Sequence, residues 1–158
     1  MSKVRVLFVC MGNICRSPTA HGVFEKKVDE HGLRERISVD SAGTHAYHIN
    51  EAPDRRSQAT AVANGYDLSE QRARKVTVYD FDEFEYIIGM DNNNHYNLLQ
   101  LATDEQRSKV HLMMSFAKGS AEVEVPDPYY GDDGFENVLE MIEAASDGLL
   151  EHIIETYL

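Results

Sequence analysis

The chain has 158 residues, 42% of them hydrophobic and 27% charged, which suits one domain, residues 1–158, around one sizeable core. Fifteen basic against 27 acidic side chains leave a net charge of −12, which argues against nucleic acid or an anionic membrane surface as partner. Two cysteines are too few for a disulfide scaffold. No apolar run approaches the roughly 20 residues of a membrane span, and nothing reads as a signal peptide, so a cytoplasmic location is the default, with export left open.

Val4 to Val9 is continuous and rich in β-branched residues, the pattern of a strand buried on both faces. Ser17-Pro18 then reads as a helix start, with serine at the N-cap and proline at the first helical position. Helical spacing of Ala20, Val23, Phe24 and Val28 runs to His31-Gly32. A second strand is expected over Ile37 to Ala42 and a second helix over Asp54 to Ala63, closed by Asn64-Gly65. Phe84 to Met90 reads as a third strand. Asp91 to Leu101 follows as a helix capped by Asp91 or Asn92, then Lys109 to Met113 as a fourth strand. Val138, Leu139, Ile142, Ala145, Leu149 and Ile153 mark a long closing helix from Phe135 to Tyr157. This alternation implies βαβ units: an α/β fold with a parallel sheet and helices on both faces, whose ligands bind beyond the C-terminal strand ends.

One such end carries "FVCMGNICRSPTA", Phe8 to Ala20. A turn between a buried strand and a helix N-terminus presents backbone N–H groups to one point, where the helix dipole adds about half a positive charge. Consecutive amides make a concave nest for an anion. Gly12 allows close approach, Asn13 suits the left-handed region, and Arg16 offers a forked cation to phosphate oxygens. A thiol at the mouth, Cys10, feels the same field, which favours a thiolate nucleophile. Ser17 is placed to donate a hydrogen bond to that sulfur. Neither G-x4-G-K-[ST] nor G-x-G-x-x-G occurs, so the common nucleotide loops are absent. The cysteines lack a second pair or a His-x3-His partner, which argues against zinc.

Cys10-x5-Arg16 followed by Ser17 is similar to the phosphate loop of protein tyrosine phosphatases. The full string "CMGNICRSP", together with "DSAGT" (Asp40 to Thr44) and "DPYYG" (Asp127 to Gly131), resembles the low-molecular-weight family over nearly the whole chain. The resemblance implies a three-layer sandwich around a four-stranded parallel, twisted, Rossmann-like sheet of the phosphotyrosine phosphatase I type. It also implies hydrolysis of phosphotyrosine and aryl phosphates through a cysteinyl-phosphate, with no metal and no cofactor. Cys10 is then the nucleophile, while Arg16 and the loop residues Met11, Gly12, Asn13, Ile14, Cys15 and Ser17 bind phosphate. Asp127 is the general acid and then the base. Tyr47, Tyr129 and Tyr130 resemble aromatic walls of the substrate cleft, and Asn13 with Ser41 resembles a pair that supports the loop. Cys15, within the same turn, has two compatible readings: core packing, and approach to Cys10 in a reversible disulfide.

Within the fold, arsenate reductases need further cysteines, which are absent after Cys15, and protein-arginine phosphatases carry threonine where this chain has Ile14, so tyrosine is favoured. A phosphate-binding module without chemistry and a thiol redox module are the alternatives from other classes. The implied partner is a tyrosine-phosphorylated protein, of which a bacterial tyrosine kinase is one kind; the residues do not fix the oligomeric state. His21 is expected on a helix surface with little effect on chemistry. His45, His48 and His95 are expected to be surface or loop histidines.

Overall fold

In a computed structural model, residues 3–128 and 134–158 are described. Four strands, β1 (Val4–Cys10), β2 (Ile37–Gly43), β3 (Tyr86–Gly89) and β4 (Val110–Leu112), form one parallel sheet in the order β2-β1-β3-β4. Five helices are described: α1 (Arg16–Glu30), α2 (Arg55–Ala63), α3 (Asp80–Glu83), α4 (Asn92–Leu101) and α5 (Gly134–Tyr157).

Strand β1 explains the layering. Its side chains alternate between two buried faces, as a central parallel strand requires. Val4, Val6, Phe8 and Cys10 join the larger core with Val23 and Phe24 of α1 and Leu139, Ile142 and Leu149 of α5. Leu7 and Val9 face the smaller core with Phe81 of α3 and Leu98 of α4. The aromatic pair Phe8 and Phe24 meets edge to face at 5.6 Å and locks α1 across β1. Because every strand points the same way, the loops after β1, β2 and β3 gather at one end of the sheet.

Every expected element is present with shifted ends, and α3 (Asp80–Glu83) is an element the sequence reading does not include. Strand β3 is four residues, shorter than Phe84 to Met90, because Asp80–Glu83 closes a short helix just before it. Strand β4 is trimmed by 3-10 turns at Arg107–Lys109 and Met113–Phe116. Helix α1 begins earlier than predicted: its N-cap is Cys15, with no side-chain cap, and Ser17 lies inside the first turn. The Ser17 hydroxyl is committed elsewhere, and Pro18 is tolerated there because first-turn N–H groups have no helical acceptor. Asp54 and Asp91 are caps as read: Asp54 accepts from Arg56 and Ser57 N–H, and Asp91 makes a reciprocal capping box with Asn94.

Helix α5 approaches the Met113–Phe116 turn so closely that a Cβ on Gly148 would overlap the Phe116 carbonyl oxygen. Gly148→Ala is therefore expected to lose about 3 kcal/mol of stability by urea denaturation, at the upper end of overpacking costs. His111 on β4 packs against Phe116 and Tyr86, near His152. Burial, then His152 and His95, hold the His111 imidazole below its ordinary value. The unfolded chain therefore takes up that proton first as pH falls. The stability His111 contributes is complete above the ordinary imidazole value of about 6.5 and is lost as pH drops below it. Denaturation midpoints followed from about pH 7.5 to about pH 5 should fall less steeply in His111→Gln than in the wild type.

Candidate active site

The loop after β1 folds with its carbonyls turned outward. Thr44 N–H donates to Cys10 O at 2.9 Å, His45 N–H to Met11 O at 3.0 Å and Asp54 N–H to Ile14 O at 2.7 Å. The segment between β2 and α2 thus consumes the loop's acceptors. Among the described residues, the N–H groups of Gly12, Asn13, Ile14, Arg16 and Ser17 make no hydrogen bond. They remain as donors on the inner side, which is the nest an anion needs. Close approach is built in: a Cβ on Gly43, at the end of β2, would lie 2.8 Å from Met11 O.

Asn13 takes the left-handed conformation, φ 58°, as read from the sequence. Its Oδ1 accepts from Arg74 N–H at 3.1 Å, and its Nδ2 donates to Ser17 Oγ at 2.8 Å. Ser17 Oγ lies 3.1 Å from Cys10 Sγ, and the Ala42 carbonyl is its second acceptor at 3.4 Å. Cys10, Asn13, Ser17 and Cys15 are all buried, and neither cysteine is in a disulfide.

Arg16 is buried as well. Its Nη1 donates to Asp91 Oδ2 at 2.6 Å and to Val125 O at 3.0 Å. Burial works against the charge, but Cys10, Asp91 and Asp127 outweigh it and hold the guanidinium above its ordinary value. One edge of the fork is spent on aiming the group; Nε and Nη2 make no hydrogen bond among the described residues and are left as a donor pair at a residue that lines the cavity. The anchor comes from β3: Asp91 follows that strand and caps α4 with its other oxygen.

A cavity of about 200 Å³ opens over the loop, lined by Cys10, Met11, Gly12, Ile14, Cys15, Arg16, Tyr47, His48 and Asp127. Asp127 and Tyr47, far apart in sequence from Cys10, are thus brought to it. Tyr47 is exposed and stacks flat on His45 at 5.2 Å. Tyr129 and Tyr130 lie outside the described residues. Ser41 does not reach Asn13. Its hydroxyl donates to Gln71 Oε1 at 3.4 Å and meets His21 Nδ1 at 3.3 Å, while Gln71 Nε2 donates to Pro18 O at 3.0 Å. The direct clamp on Asn13 is Arg74, itself fixed by Asp40 and Asp80. His21 is therefore half-buried between Ser41 and Glu25 rather than on a free helix surface. It is the first cause of the Glu25 carboxyl's lying below its usual range, against burial, with help from Arg34.

Sequence reasoning missed Asp91, Arg74 and His48. Asp91 had a signal: it is the polar residue just beyond a parallel strand, where such folds collect function. Among the described residues no three His, Cys, Asp or Glu side chains are placed to hold a metal ion.

A thiol under an amide nest, beside an anchored guanidinium and a carboxylate, is the arrangement of a cysteine-dependent phosphatase. The sequence profile of the family described as low molecular weight phosphotyrosine protein phosphatase matches residues 5–157. A low molecular weight protein-tyrosine-phosphatase of Streptomyces coelicolor is 43% identical over 155 residues, covering 96% of this chain and 94% of its own. The crystal structure of an Entamoeba histolytica protein tyrosine phosphatase with Hepes in its active site superposes with a TM-score of 0.94 at 39% identity, covering 99% of this chain and all of its own. The structure of YfkJ from Bacillus subtilis gives 0.95 at 36% identity, over 100% of this chain and 99% of its own. The chain belongs to the low molecular weight phosphotyrosine protein phosphatase family.

Asp91 has two separable duties. Asp91→Asn keeps a competent N-cap but loses the charge that aims Arg16; kcat/KM for an aryl phosphate should fall roughly tenfold, because small displacements of a positioning group are costly. Asp91→Ala should show that loss and, in addition, about 1 kcal/mol of lost stability in urea denaturation from the missing cap.

Proposed function

We propose that the protein hydrolyses phosphotyrosine in proteins, and aryl phosphates in general, by two in-line displacements at Cys10. The observation that carries this reading is the convergence of Cys10, Arg16 and Asp127 on one small cavity above unengaged loop amides.

In the first step the Cys10 thiolate attacks phosphorus, and the bond from phosphorus to the tyrosyl oxygen breaks. The three equatorial oxygens are received by the loop N–H groups and by Nε and Nη2 of Arg16. These donors are already oriented, so stabilising the transition state needs little reorganisation. Asp127 gives its proton to the leaving phenol oxygen. In the second step Asp127, now a carboxylate, takes a proton from water as the water oxygen attacks phosphorus. The phosphorus–sulfur bond breaks, inorganic phosphate leaves, and the sulfur departs as thiolate. Ser17 supports that departure: its hydroxyl already receives from Asn13, so its single proton is available to Cys10 Sγ.

Selectivity for tyrosine rests on the cavity's upper wall. Met11, Ile14 and Tyr47 present apolar and aromatic surface to a ring, and Ile14 offers no hydroxyl to a guanidinium. The partner is a tyrosine-phosphorylated protein; a bacterial tyrosine kinase is one such substrate. No helix among the described residues is long and apolar enough to cross a membrane, and a cytoplasmic setting fits this reading.

Cys10→Ser should abolish hydrolysis of p-nitrophenyl phosphate in metal-free buffer while leaving the melting temperature near that of the wild type; residual turnover at a tenth of the wild-type rate would remove Cys10 from its role. Asp127→Asn should lower kcat by roughly 10²–10⁴-fold. Its effect should grow as the leaving phenol becomes more basic across a series of aryl phosphates, and an equal loss across the series would contradict proton donation.

A further inference from the structure

The sequence reads His48 as a surface or loop histidine; it does lie in a loop, and its ring stands in the wall of the catalytic cavity. Its Cδ2 edge packs over Gly12, 3.0 Å from where a Cβ would be, with Nε2 3.7 Å from the same point. Its Nδ1 is 2.7 Å from Glu51 Oε2. A carboxylate can only accept, so Nδ1 carries the proton and donates. The ring is held firmly for a residue of an exposed loop. Glu51 N–H donates to His48 O, Asn50 N–H donates to Ala73 O, and Ala73 N–H donates back to Glu51 O, with Asn50 in the left-handed conformation. Those bonds tie the His48 turn to the segment that also supplies Arg74 to Asn13.

We infer that His48, oriented by Glu51, holds the attacking water in the second chemical step through Nε2. This rests on the two-step reading above. After the phenol leaves, water must occupy the apical position opposite Cys10 Sγ, where the leaving oxygen had been. That water has two protons. Asp127 takes one. The other must be donated elsewhere if a lone pair is to point at phosphorus. Arg16 and the loop amides are donors, while Met11, Ile14 and the cysteines supply no suitable acceptor. Among the described lining residues this leaves His48 Nε2 and the hydroxyl of Tyr47, and Tyr47 is two-thirds exposed. With Nδ1–H given to Glu51, the tautomer that serves here carries its lone pair at Nε2. No net proton passes to His48: the proton lost by water ends on Asp127, the water oxygen joins phosphorus, and sulfur leaves. His48 serves only the step that consumes water, so its effect should separate from that of Arg16, which serves both.

The test compares His48→Phe, which keeps a ring over Gly12 but has no acceptor, with His48→Gln, whose amide oxygen can stand near the place of Nε2. Stopped-flow release of p-nitrophenol gives the rate of the first step, and acid-quenched phosphoenzyme gives the fraction of protein held as cysteinyl-phosphate. In His48→Phe, kcat should fall about tenfold, the size of one lost hydrogen bond, with first-step rate within about twofold of wild type and more trapped phosphoenzyme. His48→Gln should recover most of kcat, and Glu51→Leu, which frees the ring to turn, should resemble His48→Phe. Equal losses in both steps, unchanged kcat in His48→Phe, or His48→Gln as slow as His48→Phe would overturn the assignment. Failure of the wild-type protein to form a phosphoenzyme at all would instead overturn the two-step reading itself.

Discussion

The side-chain amide of Asn13 is held at both ends, and the chemistry of the loop depends on that. Because Oδ1 accepts from Arg74 N–H, only Nδ2 can face Ser17, and the Ser17 oxygen is thereby made an acceptor. A hydroxyl has one proton to give, and Ser17 can direct it to the Cys10 sulfur or to the Ala42 carbonyl, which is 0.3 Å farther away (3.4 against 3.1 Å). Residue 74 thereby fixes that Ser17 receives from Asn13, which leaves the hydroxyl proton for the Cys10 sulfur or the Ala42 carbonyl. Arg74 in turn is gripped by Asp40 in the middle of β2 and by Asp80 at the start of α3. Those carboxylates more than offset the burial that works against its charge and hold the guanidinium above its ordinary value. The interaction nearest the sulfur is thus backed by an ion-pair network that never touches the cavity.

The same segment organises the backbone. Gly43 N–H donates to Arg74 O and Val76 N–H donates to Gly43 O, extending the sheet edge by one short bridge. From that edge Thr44 and His45 reach over to the carbonyls of Cys10 and Met11. Each bond turns one loop carbonyl away from the cavity and so turns a neighbouring amide toward it. Tertiary pairing thus holds the loop whose own residues, Gly12 and Asn13 among them, suit the turn. This explains why Gly43 sits where β2 passes Met11: a side chain there would push the pairing strand off the loop.

Much of this was legible in residues. The β-branched-rich run Val4 to Val9 reads as a central parallel strand buried on both faces, and the spacing Cys10-x5-Arg16 between strand and helix marks the site. Asn13's backbone conformation followed from residue type. What escaped was set by partners far away in sequence. Ser17 has the composition of an N-cap, yet its hydroxyl serves Cys10, a competition that local propensity does not contain. Ser41 resembled a support for Asn13, yet Arg74 contacts Asn13 directly and Ser41 turns to Gln71 and His21. His48 looked like any loop histidine until the loop's pairing with Ala73 fixed where its ring lies.

A chain of net charge −12 that binds a dianion must do so at short range. Beside the catalytic cavity lies a larger one of about 480 Å³, whose wall includes Asp91, Glu122, Glu124 and Asp127. Arg16 is the one cation lining the smaller cavity among the described residues, and Asp91 already offsets much of its charge. A site built on net positive charge would fail here. Oriented N–H dipoles succeed because their field is steep: it acts on an anion seated in the nest and fades within a few ångströms. The repulsion from outlying carboxylates is softened by salt over about 10 Å. Long-range attraction is thereby given up, and selectivity passes to short-range fit within the small cavity over the loop.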